Sequence, residues 1–359
     1  MRRRRLLTAL ATGTAGGLAG CQVGYHGDTT VGGVSLPVPR EELTDAVATD
    51  HIPAIVDPAF ARDWSGLDVP ANAELQGLPD ETAVVGVQYE GVARAYPLAV
   101  LDWHEVVNAP QGLLVTYCPL CGSAVVTERV IDGAETVFGV SGALWRNDLV
   151  LYDRRTESLW SQLLATAIRG PKTGTQLSLV PASLTSWEAW RAEHPDTEVL
   201  LPPPHSNTVR GRDATFSYFN SKYNYETQTQ LIGYDGTGVG PRTLVVGLER
   251  DGVTRAYPFP AVAERGVVND RVGDLPVVVT VTPDGGLAAY ERGVDGRVLS
   301  FRGAGPGHLR AGGSRWVRTT GEAVDGPFRG TTLGRAADLP PMFWSGWSAF
   351  HPDTELFGR

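Results

Sequence analysis

Apolar residues along the chain fall into short runs that are bounded by glycine, proline or charged residues. In the first half these runs are four to seven residues long and rich in valine and tyrosine; they are Ala83–Tyr89, Leu113–Tyr117, Ala124–Val130 and Leu149–Tyr152. Runs of this length and composition are typical of β-strands. The pattern therefore predicts a chain that is built mainly from strands.

Two short helices are predicted to interrupt the strands of the first half. One follows Pro97, because proline is tolerated in the first turn of a helix, and ends near Asn108. The other starts at Thr185, where Glu188 three residues later completes a capping box, and stops at Pro195. The predicted fold class is α+β, dominated by β-structure.

Several segments of the first half recur in the second half in the same order. The matches are Arg94–Pro97 with Arg255–Pro258, Asn108 with Asn269, Trp187 and Trp190 with Trp344 and Trp347, and His194–Glu198 with His351–Glu355. The two tryptophans of each copy are three residues apart, which places them on one face of a helix. This ordered recurrence predicts a tandem duplication of one β-rich unit with short helices.

The repeat divides the chain into five predicted segments. Copy one covers 80–200 and copy two covers 241–359, and the linker 201–240 combines prolines with too many aromatic residues for a disordered tether. Residues 22–79 form a lead-in, of which the glycine-, valine- and proline-rich part 22–40 is predicted to be a flexible stalk. Residues 1–21 form a signal peptide.

The N-terminal residues predict export and lipidation. Arg2–Arg5 precede an apolar run that ends at Leu18 and is too short to span a bilayer. Leu18-Ala19-Gly20-Cys21 matches a lipobox, in which the cysteine thiol accepts a diacylglycerol group and becomes the first mature residue. Arg3-Arg4 resembles a twin-arginine export signal, a pattern that an ordinary basic n-region shares. The prediction is a protein anchored to the outer face of the cell membrane through Cys21.

The charge of the mature chain argues against some classes of partner. Residues 1–21 hold four of the 31 basic residues and none of the 40 acidic residues, so the mature chain has a net charge of −13. Nucleic acids and anionic lipid headgroups are therefore not expected to bind. The predicted membrane contact is the lipid anchor alone, and no protein partner is indicated.

Cys118-Pro119-Leu120-Cys121-Gly122 lies between two predicted strands and has the spacing of a metal-binding knuckle. Two thiolates on such a turn point at one ion, and the following glycine lets the backbone turn sharply. With Cys21 used by lipid, the chain has no second cysteine pair, so the other ligands must be His, Asp or Glu.

The repeat selects His104 as the third ligand. Copy two has Arg265, Thr282 and Gly285 where copy one has His104, Cys118 and Cys121, so all three metal-type residues are absent together. A joint loss is what a single site would produce. The predicted site is Cys118, Cys121 and His104, holding copper, zinc or iron, with a degenerate counterpart in copy two. By contrast, His194 recurs as His351 and is predicted to pack at a helix end.

Two other interpretations stay open from the residues alone. Cys118 and Cys121 could form a redox dithiol, making the protein a thiol- or metal-dependent oxidoreductase, although a strand rather than a helix is predicted to follow the pair. They could also form a structural disulfide in a lipid-anchored scaffold or binding module.

Long strings of the chain resemble domain of unknown function 3179, a family of exported bacterial and archaeal proteins. The strings are Arg94–Pro97, His104-Glu105, Val115–Ser123, Phe138–Gly142, Tyr152–Arg154 and Ser158–Gln162. The similarity runs from about Asp50 to the C terminus. It implies that the cysteines and His104 belong to the family pattern, and it implies no particular reaction.

Overall fold

The computed structural model describes residues 29–31, 34–66, 77–216, 218 and 238–359. These residues form 31 strands and four α-helices of seven residues each, which confirms the predicted β-dominated fold. No helix within these ranges is long and apolar enough to cross a bilayer. The predicted signal peptide and Cys21 lie outside the described residues.

The lead-in supplies five strands and one turn of 3₁₀-helix (Arg40–Glu42). The strands are β1 (Thr29–Val31), β2 (Val34–Leu36), β3 (Leu43–Asp45), β4 (Ile55–Asp57) and β5 (Ala59–Ala61). The side chains of Val34, Leu36 and Val38 are buried in the protein core. The prediction of a flexible stalk over 22–40 is therefore wrong for the part from Val34 onward. Burying these apolar side chains is more favourable than leaving them exposed to water in an open tether.

The first half continues with fourteen strands and two helices. They are β6 (Ala83–Tyr89), β7 (Val92–Pro97), α1 (Leu98–His104), β8 (Val106–Ala109), β9 (Leu113–Cys118), β10 (Ser123–Glu128), β11 (Val130–Ile131), β12 (Ala134–Glu135), β13 (Phe138–Trp145), β14 (Asp148–Asp153), β15 (Leu159–Ser161), β16 (Thr166–Arg169), β17 (Ala182–Ser186), α2 (Trp187–Glu193), β18 (Glu198–Leu201) and β19 (Asn207–Thr208). The four predicted strands agree with these bounds to within two residues.

Three five-stranded sheets organise the first half, and each takes one lead-in strand. Their strand orders are β17-β6-β7-β18-β5, β10-β9-β8-β4-β19 and β16-β15-β14-β13-β3. The start of the predicted linker therefore belongs to the fold, since β19 pairs with β4.

The two helices begin and end slightly differently from the prediction. Helix α1 stops at His104, because Glu105 adopts a left-handed φ of 57° and the chain enters β8 directly afterwards. Helix α2 is capped by Ser186, whose side chain accepts a hydrogen bond from the Ala189 amide, rather than by Thr185.

The second half contains twelve strands, two helices and a 3₁₀ turn (Gly326–Phe328). They are β20 (Leu244–Arg250), β21 (Val253–Pro258), α3 (Phe259–Arg265), β22 (Val267–Val272), β23 (Leu275–Val281), β24 (Leu287–Glu291), β25 (Gly293–Val294), β26 (Arg297–Val298), β27 (Arg302–Gly303), β28 (His308–Ala311), β29 (Ser314–Val317), β30 (Met342–Phe343), α4 (Trp344–Phe350) and β31 (Glu355–Leu356).

Strand order in the second half follows that of the first. The sheet β30-β20-β21-β31 has the order and strand directions of β17-β6-β7-β18, including one parallel pair at the same place. The antiparallel meander β22-β23-β24 likewise corresponds to β8-β9-β10.

One hydrophobic core is built from both halves. It contains the two cysteines of the β9–β10 turn, much of the β13–β16 sheet, and Trp344, Trp347 and Phe350 of helix α4. A second core lies wholly in the first half, on the other side of the β8–β10 sheet, and includes Leu101 of α1 and Tyr117 of β9. The cysteine turn is therefore at the junction of the halves.

Candidate metal centre

Cys118 and Cys121 lie on the tight turn between β9 and β10. Cys118 is the last residue of β9 and pairs with Ser123, the first residue of β10. Gly122 has a φ of +56°, a left-handed conformation that glycine adopts without a steric penalty. The cysteines are 2% and 1% exposed, and they are free thiols rather than a disulfide. The two cysteines thus lie together on a tight turn between two strands, as their spacing predicts, and this turn, the knuckle, is buried.

A second turn, between β13 and β14, meets the knuckle. Arg146 and Asn147 both have positive φ, of 53° and 65°, as in the two-residue hairpin turns that match strand twist. The turn carries the Asn147 carbonyl oxygen to 3.3 Å from Cys121 Sγ and 3.7 Å from Cys118 Sγ. The next residue, Asp148, begins β14 and is fully buried.

Cys118, Cys121 and Asp148 form a group with the dimensions of a metal centre. One ligand atom from each side chain lies within 4.8 Å of the others, and all three residues are buried. Two ligands that are each about 2.0–2.3 Å from one ion lie at most about 4.6 Å apart. Small side-chain movements would therefore bring all three onto a single ion.

The Asp148 carboxylate has one satisfied and one unsatisfied oxygen. Oδ2 accepts hydrogen bonds from Ser161 Oγ at 2.8 Å and from the Leu163 amide at 3.1 Å. Oδ1 is buried without a hydrogen-bond partner among the described residues. Burial raises the pKa of Asp148 to about 7, although its hydrogen bonds act in the opposite direction. A buried acceptor without a donor is costly, and a bound cation would remove that cost.

The Cys121 thiol is held in its protonated form. Its hydrogen bond with Cys118, its burial, and the nearby charges of Cys118 and Asp148 all raise its pKa well above the ordinary value. Thiolates, not thiols, are the nucleophiles of redox cysteines. The environment therefore disfavours Cys121 as an attacking group, whereas a metal ion would displace the proton and stabilise the thiolate.

The structure does not bring His104 to the two cysteines. His104 is fully buried, but it is not a member of the group formed by Cys118, Cys121 and Asp148. Its Nδ1 lies 2.7 Å from the Pro53 carbonyl oxygen, and its Nε2 lies 3.2 Å from the Tyr218 hydroxyl. The expected convergence of His104 with the sulfurs is therefore corrected to a packing and hydrogen-bonding role.

The alternation of side chains along β9 explains this correction. Successive side chains of a strand point to opposite faces of its sheet. Cys118 faces the core that both halves build, whereas Tyr117 faces the core of the first half, where Leu101 and the other buried residues of α1 pack. His104, at the end of α1, packs with Phe216 and Tyr218 on that same side. The sheet thus separates His104 from the thiols.

Asp148 is the ligand candidate that the sequence analysis missed, although the repeat contained a signal for it. Leu151 pairs with Trp160, and Leu309 pairs with Trp316 in the second half. Three residues before these leucines, the first half has Asp148 and the second half has a proline. The second half therefore lacks a metal-type side chain at all three matched positions.

The predicted packing of His194 is confirmed. His194 follows the last residue of α2, and its ring centroid lies 3.9 Å from that of Trp190. His351 follows α4 and lies at the same distance from Trp347. Neither histidine belongs to the cysteine group.

Comparison with known proteins gives one match. No curated protein and no solved structure is similar to the chain at a significant level. A family model described as "Protein of unknown function (DUF3179)" matches residues 49–354, a range that includes both cysteines, Asp148 and most of each half. The chain therefore belongs to the DUF3179 family, as the resemblance of its longest motifs implies.

Proposed function

We propose that this chain is an exported, lipid-anchored protein whose first half binds a transition-metal ion through Cys118, Cys121 and Asp148. The observation that carries the proposal is the Oδ1 atom of Asp148, which finds no hydrogen-bond partner among the described residues although its side chain is buried beside two buried thiols. Buried acceptors are almost always satisfied in folded proteins, so an unsatisfied one within a ligand-type group points to a missing cation.

Zinc is the ion that this ligand set favours among copper, zinc and iron. Zinc takes cysteine sulfur and carboxylate oxygen in tetrahedral sites, and two thiolates balance its charge. An imidazole ligand would favour copper, and the position of His104, away from the two cysteines, removes that reason to choose it. The Asn147 carbonyl oxygen, already beside both sulfurs, is a further oxygen donor at the site.

The burial of the ligands supports a structural role for the ion rather than a catalytic one. Catalytic zinc sites keep a coordination position open to substrate, whereas structural sites are closed. Here all three ligands are buried, and the turn that carries two of them packs against helix α4. When bound, the ion would supply charge neutralisation and cross-linking between the two turns.

We also propose that the two halves arose by tandem duplication and that only the first kept the site. The equal strand orders support this, as does a shared detail of packing. In the first half the Trp190 ring lies directly on Gly86, and in the second half the Trp347 ring lies directly on Gly247. The second half has Thr282 and Gly285 at the knuckle positions.

Export and anchoring through Cys21 stay part of the proposal, supported by the lipobox and the basic n-region of the sequence. A lipid anchor would place a metal site with free thiols in an oxidising compartment. Bound zinc would protect Cys118 and Cys121 from oxidation in that setting, because a thiolate in a metal bond is not free to attack a disulfide.

Metal analysis of protein purified without chelators tests the proposal. We expect one zinc per chain in the wild type, none in Cys118→Ser, and a marked loss in Asp148→Asn. Cobalt substitution should give thiolate-to-cobalt charge-transfer absorption in the wild type. Thr282→Ala, at the counterpart of Cys118, is the matched control and should leave the metal content unchanged.

The oxidoreductase alternative predicts a different result from the same preparation. Protein without metal in which Cys118 and Cys121 cycle between dithiol and disulfide would support that alternative. Such a result would contradict the zinc proposal, because the thiols would then be available without removal of an ion.

A further inference from the structure

Helix α4 of the second half contacts the turn that carries the two cysteines. The amide of Phe343, just before the helix, donates a hydrogen bond of 2.8 Å to the carbonyl oxygen of Cys121. Trp344, Trp347 and Phe350 share one buried core with both cysteines. The knuckle is therefore held by the second half as well as by its own strands.

Gly346 marks the closest approach between the helix and the knuckle. A Cβ atom at this position would lie 2.9 Å from Cys121 Cβ and 3.2 Å from the Cys121 carbonyl oxygen. Gly346 is in the middle of α4 and does not have a positive φ, so the helical backbone itself does not require glycine. Glycine lowers helix stability relative to alanine. Its presence here is explained by the space that Cys121 needs.

The contact is reciprocal, because the knuckle also has a glycine where the second half comes close. A Cβ atom on Gly122 would lie 2.6 Å from the Phe343 ring. Each side of the junction thus lacks a side chain where the other side is in contact. A change in the position of Cys121 cannot occur without a movement of the residues around Phe343 and Gly346.

The second ligand-bearing turn also rests on helix α4. The Arg146 guanidinium donates a hydrogen bond of 3.1 Å to the Ala349 carbonyl oxygen and lies over the Phe350 ring. Trp145 packs edge-on against the same ring, at 5.3 Å between centroids. The helix therefore touches both turns that supply ligands, one near its start and one near its end.

Helix α2, the counterpart of α4, has no glycine at the position of Gly346, although the turn opposite it keeps Gly286 at the position of Gly122. Ala189 in α2 occupies the position of Gly346, as the flanking tryptophans show, and it lines a cleft together with Pro283 and Asp284 of the second half. There the contact is made by Asp284, which accepts hydrogen bonds from Thr185 Oγ1 and the Ser186 amide. The glycine is found only in the helix that approaches the cysteine turn.

We propose that metal binding at the knuckle is coupled to docking of helix α4, so that the metal centre links the two halves. In this arrangement Gly346 is a positioning residue for Cys121. The inference rests on the proposed metal-binding function and deepens it. Coupling of this kind is reciprocal: the bound ion stabilises the docked helix, and the docked helix raises metal affinity.

Hydrogen exchange of the full chain with and without zinc tests the coupling. If amides 342–350 exchange through an opening that releases the ion, zinc at about 100 times its Kd should slow their exchange about 100-fold. Helix α3, which packs in a separate core, is the internal control and should change much less. The Cys118→Ser variant should show no zinc-dependent protection at 342–350.

The variant Gly346→Ala tests the positioning role separately. The added methyl group should displace Cys121 and lower zinc affinity at least 10-fold, the scale of a lost supporting contact around a metal ligand. A merely structural effect of the overpacking would lower the free energy of unfolding of the zinc-free protein without lowering zinc affinity, and urea titration of the zinc-free variant measures it. Ser348→Ala, in the same helix, is the matched control and should keep wild-type affinity.

The outcomes separate this inference from the function on which it rests. If zinc binds the wild type without protecting amides 342–350, the proposed coupling between metal binding and docking of helix α4 is wrong, whereas the proposed metal site stands. A folded Gly346→Ala protein with wild-type zinc affinity would overturn the positioning role. If that variant does not fold, the exchange experiment on the wild type decides. Absence of zinc binding to the wild type would overturn both proposals.

Discussion

Ser161 donates a hydrogen bond of 2.8 Å to Oδ2 of Asp148, and this bond fixes the carboxylate whose other oxygen has no partner in the part of the chain that the structure describes. Ser161 ends β15, which is paired to β14, so the two side chains are placed by neighbouring strands. Partners of this kind orient a ligand and keep its donor atom in position. In the proposed metal site, Ser161 would therefore orient a ligand without touching the ion.

Replacement of Ser161 by alanine should therefore weaken metal binding. We expect a loss of about 10- to 100-fold in zinc affinity, the usual cost of removing a supporting hydrogen bond around a ligand. Competition titration with a chromophoric chelator measures it. Thr173→Ala removes an exposed hydroxyl that bonds only to the Gly170 carbonyl oxygen among its described contacts, and it should leave the affinity unchanged. Equal affinities for the two variants would contradict the orienting role of Ser161.

Lipidation of Cys21 predicts how the protein distributes between detergent and water. A diacylglycerol anchor should carry the wild type into the detergent phase, and Cys21→Ala should release the chain to the aqueous phase. Cys118→Ser keeps the lipobox and is the matched control, so it should partition like the wild type. If Cys21→Ala and wild-type protein distribute equally, the anchor is not at Cys21.

The two helix-end histidines predict a loss of stability in acid. Burial lowers the pKa of His194 and His351 below their ordinary value of about 6.5. The unfolded chain then binds protons more tightly than the folded one, so the free energy of unfolding should fall as the pH drops below about 6.5. Denaturant titrations between about pH 7 and about pH 5 measure this effect.

The double variant His194→Gln, His351→Gln should show a shallower fall over that range, because two of the groups that cause it are gone. His51→Gln changes an exposed histidine and is the control, with a wild-type slope. A double variant that loses stability in acid as steeply as the wild type would show that other groups dominate.

Sequence patterns predicted the strands of this fold better than they predicted the site. Strand runs such as Ala83–Tyr89 carry their own local signal, and the structure has this strand with the predicted bounds. The knuckle was also predictable, because Cys118 and Cys121 are close in sequence and a turn brings them together. Local spacing is sufficient where the residues that meet are near neighbours along the chain.

The third candidate ligand depended on tertiary structure that local spacing does not report. Strand β8, one turn and strand β9 separate His104 from Cys118 along the chain, and the alternation of side chains on β9 places Cys118 on the face of the sheet opposite to His104. Asp148 is distant from the knuckle in sequence and reaches it through the hairpin of β13 and β14. Only the pairing of strands across the sheets decides which of the two residues meets the thiols.

In the second half, the Arg318 guanidinium lies beside Thr280 and Val281, which directly precede Thr282, the residue matched to Cys118. Gln162 in the first half donates to the Thr116 hydroxyl, and Arg318, the matching residue in the second half, donates to the Thr280 hydroxyl. The Arg318 guanidinium also donates to the carbonyl oxygens of Gly266 and Val281, each at 3.2 Å. Arg318 is buried, so these acceptors have little access to water.

Arg318→Gln should therefore destabilise the second half, although glutamine is the residue that the first half has. The shorter side chain leaves buried carbonyl oxygens without donors, at a cost of roughly 2–4 kcal/mol in the free energy of unfolding. Urea titration measures it, and Arg310→Gln on the exposed side of β28 should change stability by no more than about 0.5 kcal/mol. Zinc affinity should stay at the wild-type value in any fraction that remains folded, because Arg318 is not a member of the metal-ligand group. If Arg318→Gln keeps wild-type stability, water must satisfy the carbonyl oxygens in place of the guanidinium. Arg318 would then not be needed to stabilise the second half.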